Sequence, residues 1–257
     1  LKNNPEYLIA AGSGLMLFKI INGKLEFLHT IKNFKGDYRH IEEDDDGTFW
    51  ISERSKGIIH LTLNPEKDSV INEVLYTEEN GLPATLNNYV YKVNNRIVFT
   101  TENGIYSFDK NLNKFVKDQE FEDLWENEIS ITKLYQAENG NIWFKEELDD
   151  PRIKNKNHWE LGLIKKINGK YEIQKKPFLK VRNKINSINQ ITDNKLLVGT
   201  EAGFVIYDLE NTKNFEEPYP AYRSRKIMLE VIRKAFNLSD FEKEISFDRL
   251  FPSQDYI

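Results

Sequence analysis

The feature that most constrains this chain is a β-rich pattern that occurs five times. Each copy has a run of β-prone residues, a few polar residues, and then a glycine followed by an apolar residue and a second β-prone run. The anchoring glycines are Gly14, Gly57, Gly104, Gly162 and Gly203. They are separated by 43, 47, 58 and 41 residues. Repeats of this kind bury their apolar faces only against neighbouring repeats, so the copies must stack on one another.

A period in the forties is enough for four strands of about six residues each, with turns between them. Tandem units of this length predict an all-β fold, a β-propeller with about five four-stranded blades. We expect strands near residues 48–52, 96–100, 141–144 and 195–199. Hairpin turns are expected at Asp46-Gly47 and Asn139-Gly140, of the type in which both central residues have positive φ. An immunoglobulin-like sandwich would not repeat so regularly, and helical repeats need apolar residues at 3.6-residue spacing.

The blades are expected to occupy residues 1–215, and residues 216–257 form a short C-terminal appendage. Within the appendage, residues 225–236 fit a helix with one apolar face, and equally a strand, because Val231-Ile232 is β-prone. The long interval before Gly162 holds a polar insertion over residues 145–160. Since only residues 2–6 precede the first β-prone run at Tyr7, the first repeat is incomplete, and we expect these blades to be part of a larger propeller. Uncovered blade faces then predict self-association.

Composition and charge exclude several classes of function. The chain of 257 residues has 36 basic and 41 acidic residues, a net charge of −5 that disfavours binding to nucleic acid. The lack of cysteine excludes thiolate catalysis and zinc sites built on sulfur. No apolar run approaches the roughly 18 residues that span a bilayer. Because the chain begins with Leu1, we expect a mature product or a piece of a longer protein.

Three segments match parts of one ordered pattern, which runs from an Asp-Gly or Asn-Gly turn through a strand with tryptophan and a Gly/Ser-Thr step to a glycine before an apolar residue. They are Glu43-Asp-Asp-Asp-Gly-Thr-Phe-Trp-Ile-Ser-Glu53 with Gly57-Ile58, Glu138-Asn-Gly-Asn-Ile-Trp-Phe144, and Leu197-Val-Gly-Thr-Glu-Ala-Gly203. This pattern resembles the regulator-propeller repeat (two-component regulator propeller) of bacterial sensors, over residues 7 to about 210. Glu79-Asn-Gly-Leu-Pro83 is similar to the family's linker between blades. The insertion in the fourth repeat, and Phe204 in place of leucine, depart from the family pattern.

The resemblance implies a sensor ectodomain of a bacterial hybrid two-component regulator, or of a transcriptional regulator with a triple-tyrosine domain. In such proteins the propellers lie outside the membrane and bind a signal, while a kinase or DNA-binding output lies inside. The implied location is therefore the periplasmic, extracytoplasmic part of a membrane-anchored regulator, attached to the membrane through flanking segments alone. Residues 231–236 are similar to the way such proteins lead into the triple-tyrosine domain. The implied function is the sensing of a signal. We expect it to be non-enzymatic, with a carbohydrate-type signal and without a cofactor.

The sequence offers no convincing catalytic or metal-binding set. No two of the four histidines are at metal-ligand spacing, and His40 and His60, which lie in strand patterns, are expected to be satisfied, half-buried imidazoles rather than metal ligands. The acidic run over residues 42–46 lacks the spacing of a calcium loop and predicts a solvated hairpin. Glu146-Glu147 and Asp149-Asp150 are paired carboxylates of the kind used in glycoside hydrolysis, but we expect them in an exposed loop. No metal and no catalytic residue are therefore predicted.

A propeller presents the loops before its innermost strands at the mouth of its central channel. In this chain those loops carry amide, phenol and guanidinium groups, which suit a polar small molecule or an oligosaccharide. The predicted binding residues are Tyr38, Arg39, Asn87, Asn88, Asn127 and Asn186. The alternative for each of them is that the side chain only satisfies backbone groups of its own loop.

Two other functions stay open at this point. A propeller enzyme, such as a polysaccharide lyase or glycoside hydrolase, would show convergent ionisable groups with shifted pKa values at the channel. A protein-interaction scaffold would show an exposed apolar or aromatic patch. Trp50 and Trp143 occupy equivalent positions and are expected in the core, whereas Trp159 lies in the insertion, where an exposed ring could stack on a sugar or dock a partner.

Overall fold

The computed structural model describes residues 1–125, 127–148, 158–175 and 184–210. The chain divides into two compact units, residues 1–184 and 185–257. The predicted boundary at residue 215 and the helix-or-strand question over residues 225–236 lie outside the described residues. No helix within the described ranges is long and apolar enough to cross a membrane.

The fold is an all-β propeller of five blades, each a meander of antiparallel strands. The first sheet contains β1 (Tyr7–Ala11), β2 (Gly14–Ile21) and β3 (Lys24–Lys35). The second contains β4 (Tyr38–Glu43), β5 (Phe49–Glu53), β6 (Gly57–Leu63) and β7 (Val70–Tyr76). The third contains β8 (Tyr89–Val93), β9 (Arg96–Thr101), β10 (Gly104–Asp109) and β11 (Lys114–Lys117).

The fourth sheet contains β12 (Ser130–Gln136), β13 (Ile142–Leu148), β14 (His158–Ile167) and β15 (Lys170–Gln174). In the second unit, the fifth sheet contains β16 (Ile185–Thr192), β17 (Lys195–Thr200) and β18 (Gly203–Asp208). All four strands predicted from the repeat alignment are present, within one residue at their first position. Gly57 begins the third strand of its blade, whereas Gly14 begins β2, so β1 to β3 correspond to the second to fourth strands of a complete blade.

The backbone conformation of two hairpins differs from the predicted turn type. The hairpins at Asp46-Gly47 and Asn139-Gly140 are present, but only their glycines have positive φ, at 81° and 84°. Gly47 N donates to Asp44 O, which gives a type I turn followed by a left-handed glycine. Two-residue turns with positive φ at both positions occur instead at Asn22-Gly23, Asn94-Asn95 and Asn168-Gly169.

Apolar side chains fill the spaces between neighbouring blades of the first unit, as the repeats predict. Phe49 and Ile51 pack towards the first blade, and Trp50 packs on the other face of β5, towards Phe99 of the third blade. Phe144 faces the third blade from β13. Trp50 is 2% exposed and Trp143 is fully buried, which confirms both as core residues.

Candidate functional site

The innermost strands of the second, third and fourth blades lie side by side and run in the same direction. We call the end of the first unit at which β4, β8 and β12 begin the proximal face. Near this face Arg39 on β4 contacts Tyr89 on β8, and further along Glu42 accepts a hydrogen bond from the backbone N–H of Lys92. The strands therefore bring polar side chains from successive blades into contact.

Arg39 and Tyr89 are joined at the proximal face by a hydrogen bond and a cation–π contact. Arg39 Nη1 donates to Tyr89 Oη over 2.6 Å, and the guanidinium lies 5.5 Å from the centre of the Tyr89 ring. Both side chains are half-buried. A guanidinium has five N–H donors, so this contact leaves the group with further donors of fixed orientation.

His40 lies next to this pair and is held by aromatic rings. Its ring centre is 5.5 Å from that of Tyr89 and 4.9 Å from that of Tyr91, both in edge-on arrangements. Burial, with smaller contributions from Lys133 and Arg39, lowers the pKa of His40 to about 4. The imidazole is therefore neutral at neutral pH and has one donor and one acceptor nitrogen.

The predicted residues of the second blade and of the loop before the third have different environments. Arg39 is half-buried on the proximal face, as described. Tyr38 is 6% exposed, because its ring stacks on Phe34 at 4.5 Å inside the core between the first two blades. Asn88 is also buried, and its amide donates to the carbonyl oxygens of Ala84 and Thr85 over 2.7 and 3.1 Å. Its Oδ1 accepts no hydrogen bond from the described residues.

The three remaining predicted residues are exposed. Asn87 has a left-handed backbone with φ of 59° in the loop before β8. Asn127 lies in the segment before β12 and lines a cavity. Asn186 is on β16 and therefore belongs to the second unit. The structure thus brings Arg39, Asn87, Asn88 and Asn127 to the start of successive inner strands, while their role as ligand contacts stays a prediction.

The cavity has a volume of about 110 Å³ and lies between the third and fourth blades at the proximal face. The turn between β9 and β10 forms one wall, and the segment leading into β12 forms the other. Its lining includes Asn103, Lys117, Phe121, Trp125, Asn127 and Glu128. Trp125 Nε1 is shielded from solvent and has no acceptor among the described residues.

A buried carboxylate corrects the prediction of an exposed insertion loop. The insertion lengthens β13 and β14 into a hairpin, in which Glu146 lies directly opposite Glu160. Glu146 is fully buried, while Asp149 and Asp150 lie outside the described residues. Lys175 Nζ forms ion pairs with both glutamates, at 3.5 Å from Glu160 Oε2. Burial raises the pKa of Glu146 to about 7, although the contact with Lys175 opposes the shift.

The burial of Glu146 was not predicted, although the spacing of apolar residues along the strand indicates it. Along β13, Ile142, Phe144 and Glu146 are two residues apart, so they point to the same face. The first two belong to the core cluster between the third and fourth blades. The period-2 pattern of the strand therefore continues into the insertion, and it places Glu146 at a core position.

The other histidines and the acidic run make ordinary structural contacts. His60 stacks on Trp50 at 4.1 Å, and its Nε2 lies 2.7 Å from Thr48 Oγ1. His29 Nε2 lies 3.2 Å from the carbonyl oxygen of Lys67, and the side chain of His158 lies outside the described part. Asp44 accepts a hydrogen bond from Trp50 Nε1 over 3.1 Å. No group of metal-binding residues occurs among the described residues.

Trp159 is half-buried rather than open to solvent. It lies opposite Glu147 in the hairpin of β13 and β14, and Lys145 Nζ sits 5.6 Å from the centre of its ring. Burial lowers the pKa of Lys145 to about 8. The predicted docking role of Trp159 is not tested by these contacts.

No protein-family model matches the chain, and no curated protein matches it. Among solved structures, it is similar to the extracellular domain assigned to a one-component or hybrid two-component system of B. thetaiotaomicron. Two structures of that domain match with 16% and 13% identity and TM-scores of 0.48 and 0.44. The matches cover 80% and 81% of this chain, but only 29% and 34% of the other chains.

A third similar structure is an engineered GH43 glycoside hydrolase with endo-xylanase and exo-arabinofuranosidase activity. It has 14% identity and a TM-score of 0.39, and the match covers 65% of this chain and 37% of that one. The first two structures are of the kind that the repeats resemble, an extracellular domain of a bacterial regulator. All of these likenesses concern the fold, and the chain spans about a third of the ectodomains.

Proposed function

We propose that this chain is a non-enzymatic sensing propeller, the extracytoplasmic part of a bacterial signal-transduction regulator. It binds a polar, carbohydrate-type ligand at the proximal face. The contact between Arg39 and Tyr89 carries the proposal, because it orients a guanidinium, which has several N–H donors, beside a phenol hydroxyl at the start of neighbouring inner strands. Such fixed donors and acceptors, next to aromatic surface, are what a ligand with many hydroxyl groups requires.

A thermal-shift screen of the chain against a panel of neutral oligosaccharides tests this proposal. A ligand that binds the folded state alone raises the melting temperature in a concentration-dependent way. Replacing Arg39 by Met should abolish the shift. Replacing Arg54 by Met is the matched control, since Arg54 is exposed and pairs with Asp37 at 2.9 Å. A folded wild-type chain that no saccharide stabilises, or equal losses in both variants, would refute the proposal.

An enzyme is the second candidate because the structure contains a carboxylate pair. Two carboxylates that flank a scissile bond are the usual machinery of glycoside hydrolysis. Here, however, Glu146 is fully buried and Lys175 contacts both it and Glu160. A substrate would have to displace the lysine to reach the pair. We therefore favour a structural role for this cluster and propose that bound saccharides are not turned over.

Self-association stays a prediction, and one face of the first blade offers a surface for it. Leu8, Phe18 and Phe27 are cross-strand neighbours on this face, which also carries Ile20 opposite Leu25. Four of these five side chains are 42% to 56% exposed. We propose that a second copy of the chain covers this face. Light scattering should show dimers that Phe27→Glu dissociates, and a monomeric wild type at high concentration would contradict the proposal.

A further inference from the structure

Arg39 differs from the other arginines within the described ranges, because no carboxylate there pairs with it. Arg54 and Arg96 each form an ion pair with an acidic side chain, whereas Arg39 donates its hydrogen bond to the phenol of Tyr89. The guanidinium nitrogens Nε and Nη2 of Arg39 make no hydrogen bond with the described residues and are open to solvent. A half-buried charge is costly without an opposite charge or hydrogen bonds, so these open donors indicate a place for an anion from a ligand.

His40 adds two further nitrogen atoms at the same place. The register of β4 against β5 shifts between Tyr38 and His40, so Arg39 is the extra residue of a β-bulge, and both Arg39 and His40 contact the ring of Tyr89. The ring nitrogens of His40 are open to solvent, and no residue in the described part of the chain hydrogen-bonds to them. A neutral imidazole can donate one hydrogen bond to a ligand and accept another.

The charged groups around this site give it a positive potential. Burial lowers the pKa of His40, and the positive charges of Lys133 and Arg39 lower it further, so both cations lie close to the imidazole. Glu42 lies further along β4, where Lys92 is its charged neighbour. A positive potential in a partly buried site attracts an anionic group and disfavours a cationic one.

We propose that the proximal face binds an acidic saccharide, in which the carboxylate of a uronic acid pairs with Arg39 Nε and Nη2, Lys133 adds positive charge, and hydroxyl groups contact His40. A planar guanidinium matches a carboxylate through two parallel N–H···O bonds. The inference rests on the proposed function, since it specifies the charge of the ligand at the same site. A neutral saccharide offers hydroxyl groups alone and should bind there more weakly.

The test compares pairs of oligosaccharides that differ in one group, such as oligogalacturonides and the matching oligogalactosides, in which a hydroxymethyl group takes the place of each carboxylate. Isothermal titration calorimetry at neutral pH should show that the acidic member binds about tenfold or more tightly, the effect of hydrogen bonds to a charged group. Equal affinities, or tighter binding of the neutral members, would refute the inference and leave the proposed function standing. If no saccharide of either kind binds the folded chain, both proposals fail.

Two variants locate the preference for the acidic member. Arg39→Gln removes the charge but keeps a polar side chain, and we expect it to bind both members of a pair almost equally. Lys133→Gln should reduce the preference without affecting the neutral member. It should also leave the chain folded, because Lys133 lies directly opposite Lys145 on β13 and its loss relieves a like-charge repulsion.

The matched control is Lys170→Gln, which removes the same charge from an exposed lysine on the outermost strand of the fourth blade. We expect it to keep the full preference for the acidic member. An equal loss of preference in the Lys170 and Arg39 variants would overturn the inference. If Arg39→Gln binds neither member, the Lys133 variant decides, and an unchanged preference in that variant would overturn the inference.

Discussion

His40 and Glu146 should make opposite contributions to the pH dependence of folding. The pKa of His40 is lowered from 6.5 to about 4 in the folded chain, so the unfolded chain binds more protons and stability rises with pH across this window. The pKa of Glu146 is raised from 4.5 to about 7, so the folded chain binds more protons there and stability falls as pH rises. The pH ranges in which the two groups change the stability overlap between pH 4.5 and 6.5.

The magnitudes follow from the size of the shifts. Each unit of pKa difference corresponds to about 1.4 kcal/mol, so either group alone should change the free energy of unfolding by roughly 1–2 kcal/mol between pH 5 and pH 6.5. Because the signs differ, the two changes nearly cancel in the wild type. Glu146→Gln should therefore expose a rise with pH over this range, and His40→Gln should expose a fall.

Urea unfolding at several pH values, followed by tryptophan fluorescence, measures these free energies if unfolding is two-state. The double variant should follow the same pH profile as the wild type. Arg39 and Lys133 face His40, and Lys175 and Glu160 face Glu146, and all four stay unchanged in these variants. Parallel pH profiles for the wild type and both single variants would show that neither group is buried as described.

Three further substitutions, with Gly12→Ala as a control, test the packing and one buried ion pair. Gly162→Ala should lower the free energy of unfolding by about 1–3 kcal/mol in a urea titration, because its Cβ would lie 2.2 Å from the ring of Phe144. At Gly12 a Cβ has room, so Gly12→Ala should change the free energy of unfolding by less than about 0.5 kcal/mol. Phe99→Ala should cost about 3–5 kcal/mol by calorimetry, since Phe99 is fully buried between blades. Asp118→Asn should cost about 1–3 kcal/mol in thermal unfolding, because buried Asp118 accepts hydrogen bonds from both terminal guanidinium nitrogens of half-exposed Arg96.

The architecture could be predicted from the repeats because four of the five anchoring glycines begin a strand, whereas Gly162 lies within the lengthened β14. Gly57, Gly104 and Gly203 all have φ between 98° and 126°, where side chains with a Cβ are strained. The spacing of such glycines therefore marks the strands. The turn types could not be predicted from the Asp-Gly and Asn-Gly pairs, because the same pairs fit a longer loop with one left-handed glycine.

The candidate site was harder to predict, because burial depends on where a strand begins. Tyr38 was expected in a loop, but β4 begins at this residue and directs the ring onto Phe34 in the core. Trp125 lies outside the repeat pattern, so nothing in the sequence indicates that its indole lines a cavity. The position of Arg39 on the proximal face could be predicted, because the residue directly follows the loop before an inner strand, where a polar side chain reaches the neighbouring blade.

Isothermal titration of the chain with a saccharide that stabilises it is the most direct test of ligand binding without turnover. Binding alone gives heats that decline to zero once the site is saturated. The saccharide should then be recovered intact, and the heats should be lost in the Arg39→Met variant. A heat flow that persists after saturation, accompanied by cleaved saccharide and abolished by Glu160→Gln, would contradict the account and identify the chain as an enzyme.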